Sequence, residues 1–122
     1  MSNPLEPEPE AIARLVGSDP QQPVVMLNLL RYHADGGREL YREYAMATAP
    51  HLARVGGELI YAGDCDITLV APDGYAWDTV ALVRYPTRQA FLDMVADPDY
   101  REISKIRARA LSAAVLDATV PL

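Results

Sequence analysis

The sequence predicts an α+β domain of ferredoxin-like plan, a four-stranded antiparallel sheet in the order βαββαβ with both helices on one face. A nine-residue apolar run from Val24 to Tyr32 is typical of a central strand that is covered on both faces. Two helical crossovers and one hairpin follow it along the chain. With 122 residues, half of them hydrophobic, the chain can bury one substantial core as a single domain.

A short extra helix is predicted before the sheet. Pro9 lies among acidic residues, a composition that suits the first turn of a helix, and Gly17 ends the apolar pattern that follows. We expect residues 1–6 to be frayed and residues 1–22 to form an N-terminal extension whose helix docks on the domain. Residues 23–120 are then the ferredoxin-like domain.

The first crossover helix is predicted from about Arg38 to Val55, after the break at residues 34–37. Pro50 lies inside this pattern. Because proline lacks the backbone donor and crowds the carbonyl four residues back, we expect a kink, or a split near Ala49. The glycine pair at 56–57 ends the helix.

The next strand-like segments are Glu58 to Ala62 and Ile67 to Val70, and we favour one long strand with a bulge over two separate strands. A turn at residues 72–74 leads to the hairpin partner, Trp77 to Tyr85. The last strand is predicted over residues 112–120.

The second crossover helix has two start signals. Thr87 can cap a first segment, and Asp97 followed by Pro98 can restart the helix, since aspartate caps well and proline fits the first helical position.

A sheet with helices on one face leaves its other face uncovered. Such a face is too apolar to lie in water, and a homodimer through the open sheet face would cover it. Alternation along the central strand divides its side chains between the two faces. We expect Val25, Leu27 and Leu29 to face the helices, and Met26, Asn28 and Leu30 to face the barrel or the partner subunit.

Several segments together resemble a known superfamily: MLNLLRY in the first strand, YREY followed by VGGELIYAG, and WDTVALVRYPTRQAFLDMVADPDYREI. Over about residues 23–120 the chain is similar to the dimeric α+β-barrel proteins, and within them to a widespread family of small bacterial proteins whose function is not established. The resemblance implies a barrel built from two sheets. It also implies a pocket in each subunit, either between sheet and helices or opening into the barrel.

Composition argues against several classes of protein. The net charge of −6 argues against a nucleic-acid-binding surface. The longest apolar run is too short to span a membrane, and no secretory segment follows Met1, which favours a cytoplasmic protein. Cys65 is the sole cysteine, so it forms no internal disulfide.

Common catalytic motifs are absent from the sequence: it has no phosphate-binding loop, no nucleophile elbow and no zinc-protease motif. No metal site and no cofactor are predicted. Asn28, with Arg31 and Tyr32, is the first candidate, because an amide in an apolar strand can orient a carbonyl or stabilise an oxyanion. The alternative is an asparagine that bonds a neighbouring loop or its symmetry mate.

Tyr44 and His51 share a face of the first crossover helix and form a second candidate. Histidine titrates near neutrality, so His51 is the best available general base. The alternative is a structural or solvent-facing histidine.

A third group comprises Trp77 and Arg84, with Tyr100 and Arg107 on the last helix. Arg84 could bind an anionic ligand, or it could pair across strands or across the dimer. Tyr100 and Arg107 could line the same cavity, although for Arg107 extension of its charge to the surface is the simpler account.

Three functions remain open. The first is binding or cofactor-independent conversion of a small, partly apolar organic molecule in a homodimer. A cofactor-free or haem-acting monooxygenase of the same superfamily is the second. The third is a non-catalytic dimeric ligand sensor or scaffold.

Overall fold

The computed structural model describes residues 4–122, the side chain of Ser18 excepted. It has the predicted order of elements, with the second crossover divided into two helices. The elements are α1 (Pro9–Ser18), β1 (Val24–Tyr32), α2 (Gly37–Arg54), β2 (Glu58–Asp64), β3 (Thr79–Tyr85), α3 (Arg88–Ala96), α4 (Pro98–Ala110) and β4 (Leu111–Thr119).

The four strands form one antiparallel sheet in the order β2-β3-β1-β4. This order confirms the predicted ferredoxin-like plan, in which β1 pairs with β3 on one edge and with β4 on the other. The helices cover one face, and α2 and α4 pack on each other across it. None of the described helices is long and apolar enough to cross a membrane.

The predicted orientation of β1 is wrong. Val24, Met26 and Leu30 are buried and face the helices, and Asn28 lies between them on the same face. The intervening residues Val25, Leu27 and Leu29 therefore face away from the helices. Both sets are apolar, and a strand has a side-chain period of two, so hydrophobicity along β1 could not decide between the two orientations.

The predicted helix starts of the second crossover are confirmed. The Thr87 hydroxyl accepts a hydrogen bond from the backbone N–H of Ala90 at 3.0 Å, and the Asp97 carboxylate accepts one from the N–H of Asp99 at 2.8 Å. In the first crossover, α2 continues through Pro50 as one helix. Of the two expected outcomes, the split near Ala49 is therefore wrong, and the kink stays a prediction.

The prediction of one long second strand is also wrong. β2 ends at Asp64, and residues 67–70 belong to a loop between β2 and β3. Ile67 and Val70 are 76% and 95% exposed, so these apolar residues, which predicted a strand, are not part of the described core. The bulge falls earlier, between Leu59 and Tyr61. The turn at residues 72–74 is present within the loop.

The N-terminal segment lies against the domain. Of the residues predicted to be frayed, 1–3 lie outside the described part. Leu5, however, packs against the cluster of Leu30 and Leu111, so fraying up to residue 6 is wrong there. The guanidinium of Arg88 donates to the carbonyl oxygen of Leu15 at 2.8 Å, which ties α1 to the start of α3.

Gly37 is the first residue of α2 and meets the junction of α4 and β4. A Cβ at this position would lie 2.5 Å from the carbonyl oxygen of Ala110, a backbone atom that already accepts a hydrogen bond from the N–H of His33. The start of α2 can therefore approach this junction only with glycine at position 37.

We expect Gly37→Ala to lower the free energy of unfolding by about 1–3 kcal/mol, because the methyl group overlaps backbone that cannot withdraw. Urea denaturation, monitored by circular dichroism, would measure this loss of stability. Gly17→Ala, in α1 with open space around the new methyl group, is the matched control and should be neutral or stabilising by up to about 1 kcal/mol. Equal stability of Gly37→Ala and the original chain would contradict the packing of this junction.

Candidate functional site

A cavity of about 840 Å³ lies between the sheet and the helices. Its floor is the helix-facing side of β1 and β3, and its walls are α2 and α4. Most lining residues are apolar, whereas the charged ones other than Arg107 are exposed, so the cavity opens to the surface beside them. A space of this size in a chain of 122 residues is a candidate binding site.

Asn28 lies on the cavity floor, in the middle of the central strand. Its side chain is buried, and the hydrogen bond found for it in the described part of the chain is a long one, 3.4 Å from Nδ2 to the carbonyl oxygen of Met26. A buried amide normally meets strong partners. The Oδ1 atom and the second N–H of Asn28 thus remain available to a bound molecule.

A row of tyrosines on α2 and α4 faces this floor. The rings of Tyr41 and Tyr44 are 5.3 Å apart, and those of Tyr44 and Tyr100 are 6.3 Å apart. The hydroxyls of Tyr44 and Tyr100 share a hydrogen bond of 2.7 Å. Burial raises the pKa of Tyr41 and of Tyr100, with the neighbouring Tyr44 adding to the effect, so both hydroxyls are protonated at neutral pH.

Arg107 is the most buried of the charged residues that line the cavity. It is only 9% exposed, so the predicted extension of its charge to the surface is wrong. Its guanidinium donates to the carbonyl oxygen of Leu5 and bonds to the hydroxyl of Tyr41, on which its positive charge acts to lower the pKa. No carboxylate of the described residues forms an ion pair with it.

A second polar group lines the cavity at the far end of β1. The hydroxyl of Tyr32 donates to Oγ1 of Thr79 at 2.8 Å, and that hydroxyl donates to the carboxylate of Asp64 at 2.9 Å. Arg38 completes the chain with a 2.9 Å bond to Asp64, which holds the pKa of that carboxyl below its usual range. These groups satisfy one another, so Tyr32 is positioned as a wall of the cavity.

His51 is buried on α2 but does not line the cavity. Its ring lies edge-on to Tyr100, with centroids 6.5 Å apart, and its Nδ1 atom lies 3.9 Å from the carboxylate of Asp97. Nδ1 has no hydrogen-bond partner among the described residues. The predicted general base therefore contacts Tyr100 and would not touch a molecule in the cavity.

Arg31, Trp77 and Arg84 do not join this site. The guanidinium of Arg31 stacks on Trp77 at 5.1 Å from the ring centroid and donates to the carbonyl oxygen of Ala76. Arg84 lies on the opposite sheet face and bonds Glu58 at 2.9 Å through Nε, as in the predicted cross-strand alternative. A molecule in the cavity would not contact Arg84.

The sequence interpretation missed Tyr41, Arg38 and Thr48 as lining residues. The hydroxyl of Thr48 is buried and lacks a hydrogen-bond partner within the described part of the protein. Tyr41 and Thr48 are seven residues apart on α2, as are Tyr44 and His51, so a helical wheel could have identified them. The sequence did not indicate which of these two adjacent stripes of α2 faces the sheet.

No group of three or more histidine, cysteine or acidic side chains in residues 4–122 is arranged to hold a metal ion. The described cavity lining also contains no histidine. A haem-acting oxygenase of the kind weighed above would therefore find no imidazole ligand in that lining.

Comparison with known proteins places the chain in a family. A family model described as a domain of unknown function (DUF1330) matches residues 36–118, more than half of the chain. The crystal structure of RPA0582, a protein of unknown function from Rhodopseudomonas palustris, is similar with 32% identity and a TM-score of 0.90. That match covers 99% of this chain and 98% of RPA0582. Comparison with curated proteins gives no match.

More distant structures share the fold alone. SnoaB, a cofactor-independent oxygenase from Streptomyces nogalater, is 16% identical with a TM-score of 0.59, over 83% of this chain and 94% of SnoaB. A dimeric protein of unknown function and ferredoxin-like fold from Bacteroides fragilis is 12% identical with a TM-score of 0.55. That match covers 81% of this chain and 96% of the other.

We expect Tyr44→Phe and Tyr100→Phe each to lower the free energy of unfolding by about 1–2 kcal/mol, because each leaves a buried hydroxyl without its partner. The double variant should lose less than the sum, since no orphaned hydroxyl remains. Urea unfolding of the four proteins would measure this coupling, with Tyr75→Phe, at an exposed position of the loop between β2 and β3, as the control. Strictly additive losses would show that the two hydroxyls are not coupled.

Proposed function

We propose that this chain, which belongs to the DUF1330 family of domains of unknown function, binds a small, partly apolar organic molecule in the cavity between its sheet and its helices. The cavity is the observation that supports this proposal most directly. Its volume of about 840 Å³ falls within the range of about 300–1,000 Å³ that is typical of small-molecule sites. Apolar side chains dominate its centre, and a few polar groups converge on it.

The polar groups support recognition of a carbonyl or hydroxyl group on the ligand. Asn28 presents both a donor and an acceptor from the rigid centre of the sheet. Opposite it, Tyr44 and Tyr100 form a hydroxyl pair in which one hydrogen lies between the two oxygens and the other can point to a ligand. Two fixed polar sites in an apolar space orient a molecule as well as hold it.

The same groups are suited to a reaction that needs no tightly held cofactor. A carbonyl oxygen bound by Asn28 would be polarised, and the protonated hydroxyl of Tyr44 or Tyr100 could donate a hydrogen bond to the negative charge that develops on it. A cofactor-independent oxygenase reaction on a ligand of this kind is the alternative. If the protein converts a bound molecule, the third hypothesis, a non-catalytic ligand sensor or scaffold, is wrong.

We also propose that the protein is a cytoplasmic homodimer that pairs through the open face of the sheet. That face carries half-buried aliphatic residues from the two central strands, among them Leu27, Leu29 and Leu82. Next to Leu82, on the outer strand, Tyr61 is 56% exposed. An apolar surface of this extent favours a partner, and the dimeric protein of the same fold supports a second copy as that partner.

The ligand site is tested by Asn28→Leu, which keeps the side-chain volume and removes the amide. For the neutral probe 2-naphthamide, we expect binding by the original chain and an affinity about 5–10-fold lower in the variant, the effect of one lost hydrogen bond. Titration calorimetry measures the affinity. Gln89→Leu, the same type of change at an exposed position of α3, should bind as the original chain does. If Asn28→Leu binds 2-naphthamide as tightly as Gln89→Leu does, Asn28 has no role in recognising the ligand.

The dimer is tested by Leu82→Asp, which introduces a charge at the centre of the open face. We expect the original chain to elute as a dimer in size-exclusion chromatography with light scattering, and the variant as a monomer, because burial of an unpaired carboxylate opposes association. Met46→Asp is the control, since Met46 is 74% exposed on α2 and should leave the dimer intact. A monomeric original chain would refute this interface.

A further inference from the structure

Arg107 lies in the cavity wall with unused N–H donors, and no carboxylate of the described residues is paired with it. Its side chain is 9% exposed, and its described acceptors are two neutral oxygens, the carbonyl of Leu5 and the hydroxyl of Tyr41. These acceptors leave part of the planar fork of N–H groups unused. Charged groups taken out of water are ordinarily paired, so this guanidinium lacks the partner that its environment favours.

The charges around the cavity also favour a negatively charged partner. The chain as a whole carries a net charge of −6, yet the ionisable side chains that line the cavity are mainly basic. In addition to Arg107, the lining includes four basic residues, Arg38, Arg42, Arg101 and Lys105, against two acidic ones, Glu6 and Glu102. The pairs Glu102–Lys105 and Arg38–Asp64 each cancel internally, so among the described lining residues Arg42, Arg101 and Arg107 remain against Glu6 and the field in the cavity is positive.

The neighbouring hydroxyls add neutral donors to this cation. Tyr41 touches Arg107, and Tyr100 lies close enough for the charge of Arg107 to act on its hydroxyl. Both are protonated at neutral pH because burial disfavours the phenolate. A guanidinium next to protonated hydroxyls is a donor-rich group that matches the oxygens of a carboxylate.

We infer that the ligand of the cavity is an organic carboxylate with an apolar body, and that Arg107 binds its carboxylate group. The inference rests on the proposed function and narrows it to one class of molecule. The apolar body would lie over the sheet and extend past Asn28 towards Met26, so that Asn28 meets a polar group partway along it. Arg107 and Asn28 would thereby hold the ligand at two points.

Two matched probes test the inference: 2-naphthoate, a carboxylate, and 2-naphthamide, its neutral counterpart of nearly equal shape. By titration calorimetry near pH 7.5 we expect the original chain to bind the carboxylate at least 10-fold more tightly. Arg107→Met should bind both probes with similar affinity. Arg109→Met, which removes the same charge from an exposed position of the same helix, should keep the preference.

The outcomes separate this inference from the proposed function. If the original chain binds 2-naphthamide as tightly as 2-naphthoate, or if Arg107→Met keeps the preference, the carboxylate assignment is wrong while the cavity remains a binding site. If neither probe binds, both proposals fail. The comparison of the two probes on the original chain decides the inference even where Arg107→Met does not fold.

Discussion

The central strand β1 is the constraint on which the rest of the structure depends. It is hydrogen-bonded to β3 on one edge and to β4 on the other, and it is apolar on both faces. A strand of this kind needs cover on each side. The helices cover the face of Met26 and Leu30, whereas Leu27 and Leu29 on the other face are only half-buried in the described structure.

The cavity exists because the helices meet each other more closely than they meet the middle of the sheet. Between α2 and α4 the large rings of Tyr44 and Tyr100 fill the contact and share a hydrogen bond. At one end of the sheet Phe91 and Met94 pack beside Tyr85 and complete the core. Over the centre of β1 the layers stay apart, and three of the polar residues that line this space, Asn28, Thr48 and Arg107, have unused hydrogen-bonding capacity.

The two faces of the sheet thus have different chemical character. On the helix side, the amide of Asn28 and the guanidinium of Arg107 border a space that is large enough for a small molecule. The opposite side presents aliphatic residues flanked by the exposed ion pair of Arg84 and Glu58. Recognition of a ligand and association with a partner can therefore use separate surfaces of one small domain.

Local chemistry in the sequence was sufficient for the order of elements and for the two starts of the second crossover, because caps such as Thr87 and Asp97 act within a few residues. Asn28 and Tyr44 were also recognisable as candidates, since a polar side chain in an apolar pattern is visible without a structure. Only the tertiary structure decided which face of β1 meets the helices, because both faces are apolar and a one-residue shift reverses them. It also decided that Arg107 is buried beside Tyr41, that Arg84 lies on the opposite face and that Ile67 lies in a loop. Contacts between segments distant in the chain decide these placements, and the residue types themselves are compatible with either outcome.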